Sequence, residues 1–506
     1  MEGHLTVTHS DTYVIGDAQT NTYENRHRDE YLLEADQNGL RYPEGGGGEY
    51  DFTGQADCGR APRVCQRLPP REPPGDGRPG PLLGRFIRSK TEAATKAIST
   101  TAMDLLTQRT SMLPIDDAFN FDYFGSDLVY GRNCVDRLDG LLASDDLDAA
   151  MVVCGSNVGA NDAVMGPLER GLGDRLAEVF DGTTPAKSAD TVFEGIEVVR
   201  ETDADVLVGV GGGSSLDIAR QMSALAADGR SLTELRTAAR EGAVEPPDPD
   251  DPRIPVVVVP TTFAGAGISS GGSIEVLPAA ESPSGQPVTV GGSAMPTAMF
   301  YDPNLFETTP TSVLSGSAMN GFDKGLETIY SRGRTAISDA TAVHGLRLLC
   351  EGLPAFADDS RAMERAVIGL LLVQFERRIS IVHAFGHGFA RRYPVQQGTI
   401  HAIVVPHVLR YLFSKVDGRR ALLAEGLGVD QGGHTDAELA EEIVDAVVAV
   451  RDSLDVPTRL RQIDVVEEGN LRQVAEFILD AWPMAQGPPD LEASVDELEG
   501  VLHDAW

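Results

Sequence analysis

The 506-residue chain carries 77 acidic and 42 basic side chains, a net charge of −35, and 42 % of its residues are hydrophobic. That balance excludes nucleic acid and anionic membrane surfaces as partners. No run of apolar residues is long enough to span a membrane, and the first thirty residues lack the basic start and apolar core of a signal peptide. A soluble cytoplasmic protein of two or three domains is expected, its acidity suited to a high-salt, halophile-type cytosol that screens self-repulsion.

Residues 1–111 hold 13 basic and 16 acidic side chains, so nearly all the negative charge falls on the rest of the chain. This first part includes "GGGG" (45–48) and "RLPPREPPGDGRPGPLLG" (67–84), where proline and glycine block both helix and strand. Disorder is predicted to residue 111, apart from a short helix in "KTEAATKAISTTAMDLLTQ". An ordinary domain starts at "MLPIDDAFNFDYFG", which makes Met112 a candidate start codon; a functional tail is the alternative. The five cysteines, Cys58, Cys65, Cys134, Cys154 and Cys350, are odd in number and widely spread, the pattern of inert thiols.

From 112 to 307 the periodicity alternates between strand and helix, as in "AAMVVCG", "GPLERGLGDRLAEVF" and "IPVVVVPTT", and predicts a parallel sheet covered on both faces. Within it, "VGVGGGSSLDIAR" (208–220) reads as strand, glycine turn and helix start. Gly211, Gly212, Gly213 and Ser214 are therefore a candidate pyrophosphate cradle, with backbone N–H groups and the helix dipole directed at an anion. A tight structural turn is the alternative. The run is neither G-x-G-x-x-G nor a Walker loop, so it does not identify the ligand.

From 308 to 506 the strand signals fade and the chain reads as all-helical, in "RAMERAVIGLLLVQFERR" and "DAELAEEIVDAVVAVRDSL" among others. Four of the ten histidines, His383, His387, His401 and His407, fall within 25 residues of this part, and His383 and His387 share a helix face.

The series "MVVCG", "VGVGGGSSLDIAR", "VVVVPTT", "FYDPNLFETTP", "SAMNGFDKGLETIYSR", "HAFGH…QQGTIHAIVVPHVLRY" and "VDELEGVLHDAW" resembles the iron-containing alcohol dehydrogenase family over about residues 113–506. The resemblance implies an α/β dinucleotide-binding domain followed by an all-helical domain of dehydroquinate synthase-like fold, commonly as a homodimer. It also implies hydride transfer between NAD or NADP and an alcohol, aldehyde or ketone, with a divalent metal, iron or zinc, polarising the carbonyl. Carried over by position, Gly211 to Ser214 and Asp217 line the nucleotide phosphates, and Thr261 and Thr262 lie beside the nicotinamide. In "PTTFAGAG" the glycines come one residue later than in the family. Gly155 stands where NAD-preferring relatives carry an acid that repels a 2′-phosphate, which leaves room for NADP.

The family's metal positions read Asn320, Lys324, His383 and Gln397 in this chain. A neutral amide is a poor ligand for iron or zinc, and Lys324 brings an ammonium to the cation's place. A register shifted by three residues instead offers Asp323, Glu327 and His383 as an oxygen-rich metal set. The unshifted register keeps more local identities. In it, Lys324 polarises the substrate carbonyl by charge and hydrogen bonding, or simply pairs with Asp323, Glu327 or a phosphate. By the resemblance His387 is a proton relay, and His383 a carbonyl or phosphate contact or a metal ligand. His401 and His407 are expected to be packed histidines.

Three readings follow. The first is an NAD(P)-dependent alcohol dehydrogenase or carbonyl reductase with a rewired, metal-free centre. The second is a glycerol dehydrogenase or sugar-phosphate-type relative acting on an anionic polyol. The third is a non-catalytic nucleotide-binding protein that kept its glycine turn.

Overall fold

Strands and helices alternate from Asp127 to Pro260, three more strands run to Tyr301, and among the described residues only helices follow. The structure, a computed structural model, describes residues 125–506 together with one antiparallel pair of two-residue strands, Ala35–Asp36 and Gly39–Leu40. The expectations of disorder and a short helix before residue 111, of a start at Met112, and of inert thiols at Cys58 and Cys65 lie outside the described residues.

In chain order the first part comprises β1 (Asp127–Tyr130), α1 (Leu138–Ser144), β2 (Ala150–Val153), α2 (Asp162–Leu172), β3 (Leu176–Phe180), α3 (Ala189–Thr202), β4 (Val206–Gly211), α4 (Gly213–Asp228), α5 (Leu232–Arg240) and β5 (Val256–Pro260). An antiparallel hairpin, β6 (Gly271–Leu277) and β7 (Val288–Ser293), precedes the last strand, β8 (Ala298–Tyr301). The other six strands pair in parallel in the order β1-β8-β5-β4-β2-β3.

The central strands are valine-rich and buried along their whole length because helices cover both faces. Alternation divides their side chains cleanly. Ala150, Val152, Val206, Val208, Val257 and Val259 pack with Leu138 and Leu142 of α1 and Val164 and Leu168 of α2. Met151, Val153, Leu207, Val256 and Val258 face the other way, toward Val192 and Ile196 of α3 and Leu216 and Met222 of α4. The hairpin lies over α4, where Gln221 Nε2 donates to Gly272 O (2.8 Å) and Gly292 O (3.2 Å).

The second part comprises α6 (Thr311–Tyr330), α7 (Ala336–Gly352), α8 (Ser360–Gln374), α9 (Ile381–Ala390), α10 (Gln397–Lys415), α11 (Arg420–Leu427), α12 (Asp436–Asp452), α13 (Leu471–Asp480) and α14 (Val495–Ala505). Its apolar core is continuous with the α3/α4 side of the sheet. Helix α6 is buried from Leu314 to Tyr330 except at half-buried Asn320, so its polar residues Asp323, Lys324 and Glu327 are interior groups that need partners. Cys134 and Cys154 are free and buried, and burial pushes their thiols up to about 12 and about 11; Cys350 is free and half-buried. Among the described residues no helix is long and apolar enough to cross a membrane.

One close approach governs how the two parts meet. At Gly321 of α6 a Cβ would lie 2.2 Å from Phe263 O and 2.4 Å from Leu370 Cδ1, so only glycine lets the segment after β5 settle on this helix. Gly321→Ala is expected to cost about 1–3 kcal/mol through overpacking against rigid backbone. Urea denaturation of the variant beside the parent protein measures it.

Candidate active site

The carboxyl ends of β2, β4 and β5 are adjacent. Beyond β2 the chain passes to β3 on one side, and beyond β4 to β5 on the other. This reversal is where open α/β sheets receive ligands. Gly211 has φ +127°, a conformation closed to residues with a Cβ, and its carbonyl accepts from Thr261 N–H at 2.9 Å. Helix α4 starts at Gly213, and its unpaired N–H groups and dipole point toward the same spot. A Cβ on Gly212 would approach Thr262 Cγ2 to 3.4 Å, and one on Gly213 would approach Ala266 Cβ to 3.3 Å, so a larger side chain here fills the cradle. Gly155 lies alongside, bridged to Gly182, and Thr183 and Ser215 share a buried hydroxyl–hydroxyl bond of 2.7 Å beneath it.

Gly155, Gly211 to Ser214 and Thr262 thus make a surface of glycines and small hydroxyl residues at a helix start that suits a dinucleotide pyrophosphate. Asp217, one turn into α4, has its carboxylate engaged by Lys187 Nζ (3.1 Å) and Arg220 Nη1 (3.3 Å).

Residues 261–269 connect this surface to the helical part and are fastened by several elements. Phe263 N–H donates to Ser317 Oγ of α6 (3.1 Å). Arg220 Nη2 of α4 donates to Ala266 O (2.8 Å) and Gly267 O (2.9 Å). Ile268 N–H donates to Gln374 Oε1 of α8 (3.2 Å), and Arg377 reaches Ile268 O and Ser269 Oγ. Burial pulls the Arg220 guanidinium below its ordinary value, opposed by Asp217, and burial and Arg220 hold that of Arg377 down at about 10.

Where this loop crosses α6, Lys324 Nζ donates to Ala264 O (2.9 Å), Asn320 Oδ1 (2.8 Å) and Asn320 O (3.0 Å). Three protons meet three oxygens. His383 Nε2 stands 3.1 Å from the same Asn320 Oδ1 and 3.5 Å from Nζ. An ammonium fixes the Asn320 amide with its oxygen inward, so the imidazole must present an N–H from Nε2. On the other ring edge, Nδ1 makes a short hydrogen bond with Glu327 Oε2, and Glu327 Oε1 accepts the His383 backbone N–H at 3.0 Å. His383 is the third residue of α9, so Glu327 reaches across from α6 to satisfy the start of that helix. Burial raises the Glu327 carboxyl and lowers the His383 imidazole, so burial favours the neutral forms of both. Burial first, then the charge of Arg377, lowers Lys324 to about 7.

Behind this cluster Asp323 and His401 face each other, Oδ2 to Nδ1, at 3.2 Å, both fully buried and off hydrogen-bond geometry. Their proximity resembles an ion pair, but burial drives Asp323 well up and His401 down to about 3, so burial favours the uncharged form of each. The His401 ring stands edge-on to His383 with centroids 4.5 Å apart. His387, one turn along α9, faces the half-exposed Trp482 ring at 6.2 Å. Gln397 opens α10, and its Cγ would be 3.2 Å from a Cβ on Gly386.

Asn320, Lys324 and His383 therefore converge, while Asp323, Glu327 and His383 do not gather on one point: Glu327 occupies the Nδ1 side of the ring and Asp323 faces His401. Among the described residues, no three His, Cys, Asp or Glu side chains are placed to share a metal ion. Asn320, Lys324, His383 and Gln397 do not fit one either. Nζ lies 3.5 Å from His383 Nε2. A dication bound to that nitrogen at about 2.1 Å would stand within about 6 Å of the ammonium, a repulsion of at least about 5 kcal/mol at an effective dielectric of 20. The contributions of Arg220, Gln374 and Arg377, and the reach of Glu327 to α9, have no local sequence signal beyond a charged residue in an apolar helix.

Residues 125–303 match the family described as iron-containing alcohol dehydrogenase, and residues 316–506 match the Fe-containing alcohol dehydrogenase family, C-terminal. Lactaldehyde reductase of Escherichia coli (strain K12) is 25 % identical over 337 residues, 65 % of this chain and 84 % of that protein. NAD-dependent methanol dehydrogenase of Bacillus methanolicus is 27 % identical over 350 residues, 67 % and 88 %. Among solved structures, 1,3-propanediol oxidoreductase superposes with a TM-score of 0.69 at 22 % identity, covering 77 % of this chain and 100 % of that one. Sulfoacetaldehyde reductase from Bifidobacterium kashiwanohense, in complex with NAD+, gives 0.65 at 16 % identity, covering 77 % and 99 %.

The lowered Lys324 sets a sign for stability against pH. The unfolded side chain keeps its proton up to about pH 10.4 whereas the folded one releases it near 7, so unfolding takes up a proton in that window and raising the pH favours the fold. The stability of the parent protein relative to Lys324→Met should rise between pH 7 and 10, read by chemical denaturation of both at several pH values.

Proposed function

Because the chain belongs to the iron-containing alcohol dehydrogenase family, we propose that it is an NAD(P)-dependent oxidoreductase interconverting an alcohol and an aldehyde or ketone. The observation that carries this reading is the single loop joining the two halves of the site. Its Thr261 N–H is bonded to Gly211 O at the cradle, and its Ala264 O is bonded to Lys324 at the polar cluster. Cofactor and reacting group would be held in fixed relation through three residues of backbone.

When bound, the dinucleotide supplies or accepts a hydride equivalent at the carbonyl carbon. The chain does the rest. Gly211, Gly212, Gly213 and Ser214 seat the pyrophosphate at the start of α4, and Asp217 holds Lys187 beside it. Thr261 and Thr262 lie where the nicotinamide half would extend. Gly155 places no acid near the ribose, so NADP is accommodated as well as NAD. Lys324, Asn320 and His383 form the polar wall against which the substrate oxygen is polarised, and His387, farther along α9, relays its proton. The relatives named lactaldehyde reductase and NAD-dependent methanol dehydrogenase support a small alcohol or carbonyl substrate.

The added cationic side chain at this point, Lys324, suits a substrate with an anionic group, as in the polyol reading. A cytoplasmic homodimer adapted to high salt completes the reading, supported by the acidic composition and by the family.

Titration with NADH and NADPH by fluorescence, followed by turnover on a panel of aldehydes and ketones, tests the assignment. Saturable binding without turnover on any carbonyl would favour a non-catalytic nucleotide-binding protein instead. Gly212→Val should weaken dinucleotide binding by at least about tenfold by filling the cradle, with the thermal midpoint little changed. His387→Gln should lower kcat by about a hundredfold while leaving dinucleotide affinity unaltered.

A further inference from the structure

The family takes its name from iron, yet the positions that would hold it in this chain are closed around a different cation. We propose that Lys324 replaces the divalent metal, so that the protein assembles its site and reduces carbonyls with the side-chain ammonium as the only cation at that point. The inference rests on the oxidoreductase reading for its second half alone.

Four observations carry it. Lys324 Nζ is enclosed by Ala264 O, Asn320 Oδ1 and Asn320 O at 2.8–3.0 Å, an all-oxygen shell drawn from the loop after β5 and from α6. Such a shell suits a compact donor of three hydrogen bonds, and the nitrogen that it holds occupies the place a second cation would need. His383 presents Nε2–H to Asn320 Oδ1 at 3.1 Å, so the one imidazole of the set is turned to donate rather than to ligate. Glu327 fixes that ring from behind, through Nδ1 and the backbone N–H of His383, and is thereby removed from the donor set. Asp323 stands behind the cluster facing His401, Oδ2 to Nδ1 at 3.2 Å, and so is not grouped with Glu327 and His383 around a common point.

Lys324 also performs the mechanical part of a metal's work. Its contacts tie the loop to α6, and Asn320 passes the tie on to His383 of α9, so three elements converge on one charge. That charge is positive and lies in a low-dielectric setting, where it lowers the energy of an oxygen gaining negative charge as hydride arrives at carbon. Lys324 acts as a positioning and field-setting group, its three protons being directed at protein oxygens already.

The test uses the full chain purified without chelator from cells grown with added iron and zinc. Metal content by mass spectrometry is expected to be far below one per chain, the thermal midpoint unmoved by Fe²⁺ or Zn²⁺, and NAD(P)H turnover unchanged by EDTA. The Asn320→Asp, Lys324→His, Gln397→His triple variant restores the ligand types and should gain about one metal per chain, with a metal-dependent rise in thermal midpoint. One equivalent of tightly held metal in the parent protein would overturn the proposal, as would turnover lost on chelation and regained with metal. Lys324→Met retaining full turnover would overturn the field-setting role. A parent protein that turns over no carbonyl would sink the functional reading, while metal content and midpoint would still decide the inference.

Discussion

An ammonium enclosed in protein needs three acceptors at hydrogen-bond distance, and the arrangement of the loop after β5, α6 and α9 supplies them to Lys324. Much of the local architecture follows from that demand. Ala264 can offer its carbonyl only if the loop lies directly on α6, which Gly321 permits by having no Cβ. Asn320 must turn its oxygen inward, and that choice in turn sets the tautomer of His383. Glu327 then serves two needs with one carboxylate, the ring of His383 and the unpaired N–H at the start of α9. Removing one partner of such a network leaves buried groups unpaired, so its members are coupled far more tightly than their separation in the chain suggests.

The same loop carries information to the other half of the site. Its first residue is bonded to the glycine turn that opens α4, and its last residues are pinned by Arg220, Gln374 and Arg377. Arg220 belongs to the helix that would receive the dinucleotide phosphates, and Gln374 closes α8 of the helical part. Both halves of the site are therefore fastened to one short stretch of backbone.

The strand and helix alternation, the change to helices after the sheet, and the glycine turn were legible because each is a local pattern: short valine-rich runs, 3.6-residue periodicity, and consecutive glycines before a helix start. The β6/β7 hairpin was not, since its glycine-rich strands show only weak alternation and draw their stability from α4. Sequence spacing treated Asp323 and Glu327 as one i, i+4 face. In three dimensions they part, Glu327 toward α9 and Asp323 toward His401, because α6 is buried all round and each face meets a different neighbour. Asp323 and His401 gave no sign of their proximity, being 78 residues apart on separate helices. Local identities around Glu327 favoured the register that puts Asn320 and Lys324, not Asp323, at the family's metal positions, and in the structure Lys324 Nζ lies 3.5 Å from His383 Nε2.

A cation drawn from solution obeys mass action: its site fills and empties with the free concentration, and the stability that it lends rises and falls with the logarithm of that concentration. The nitrogen of Lys324 is covalently part of α6, so its place is filled whatever metal ions surround the protein, and only its protonation follows the solution. In a chain with a net charge of −35, whose surface must attract a dense atmosphere of counter-ions, that makes the interior of the site indifferent to which cations the exterior collects.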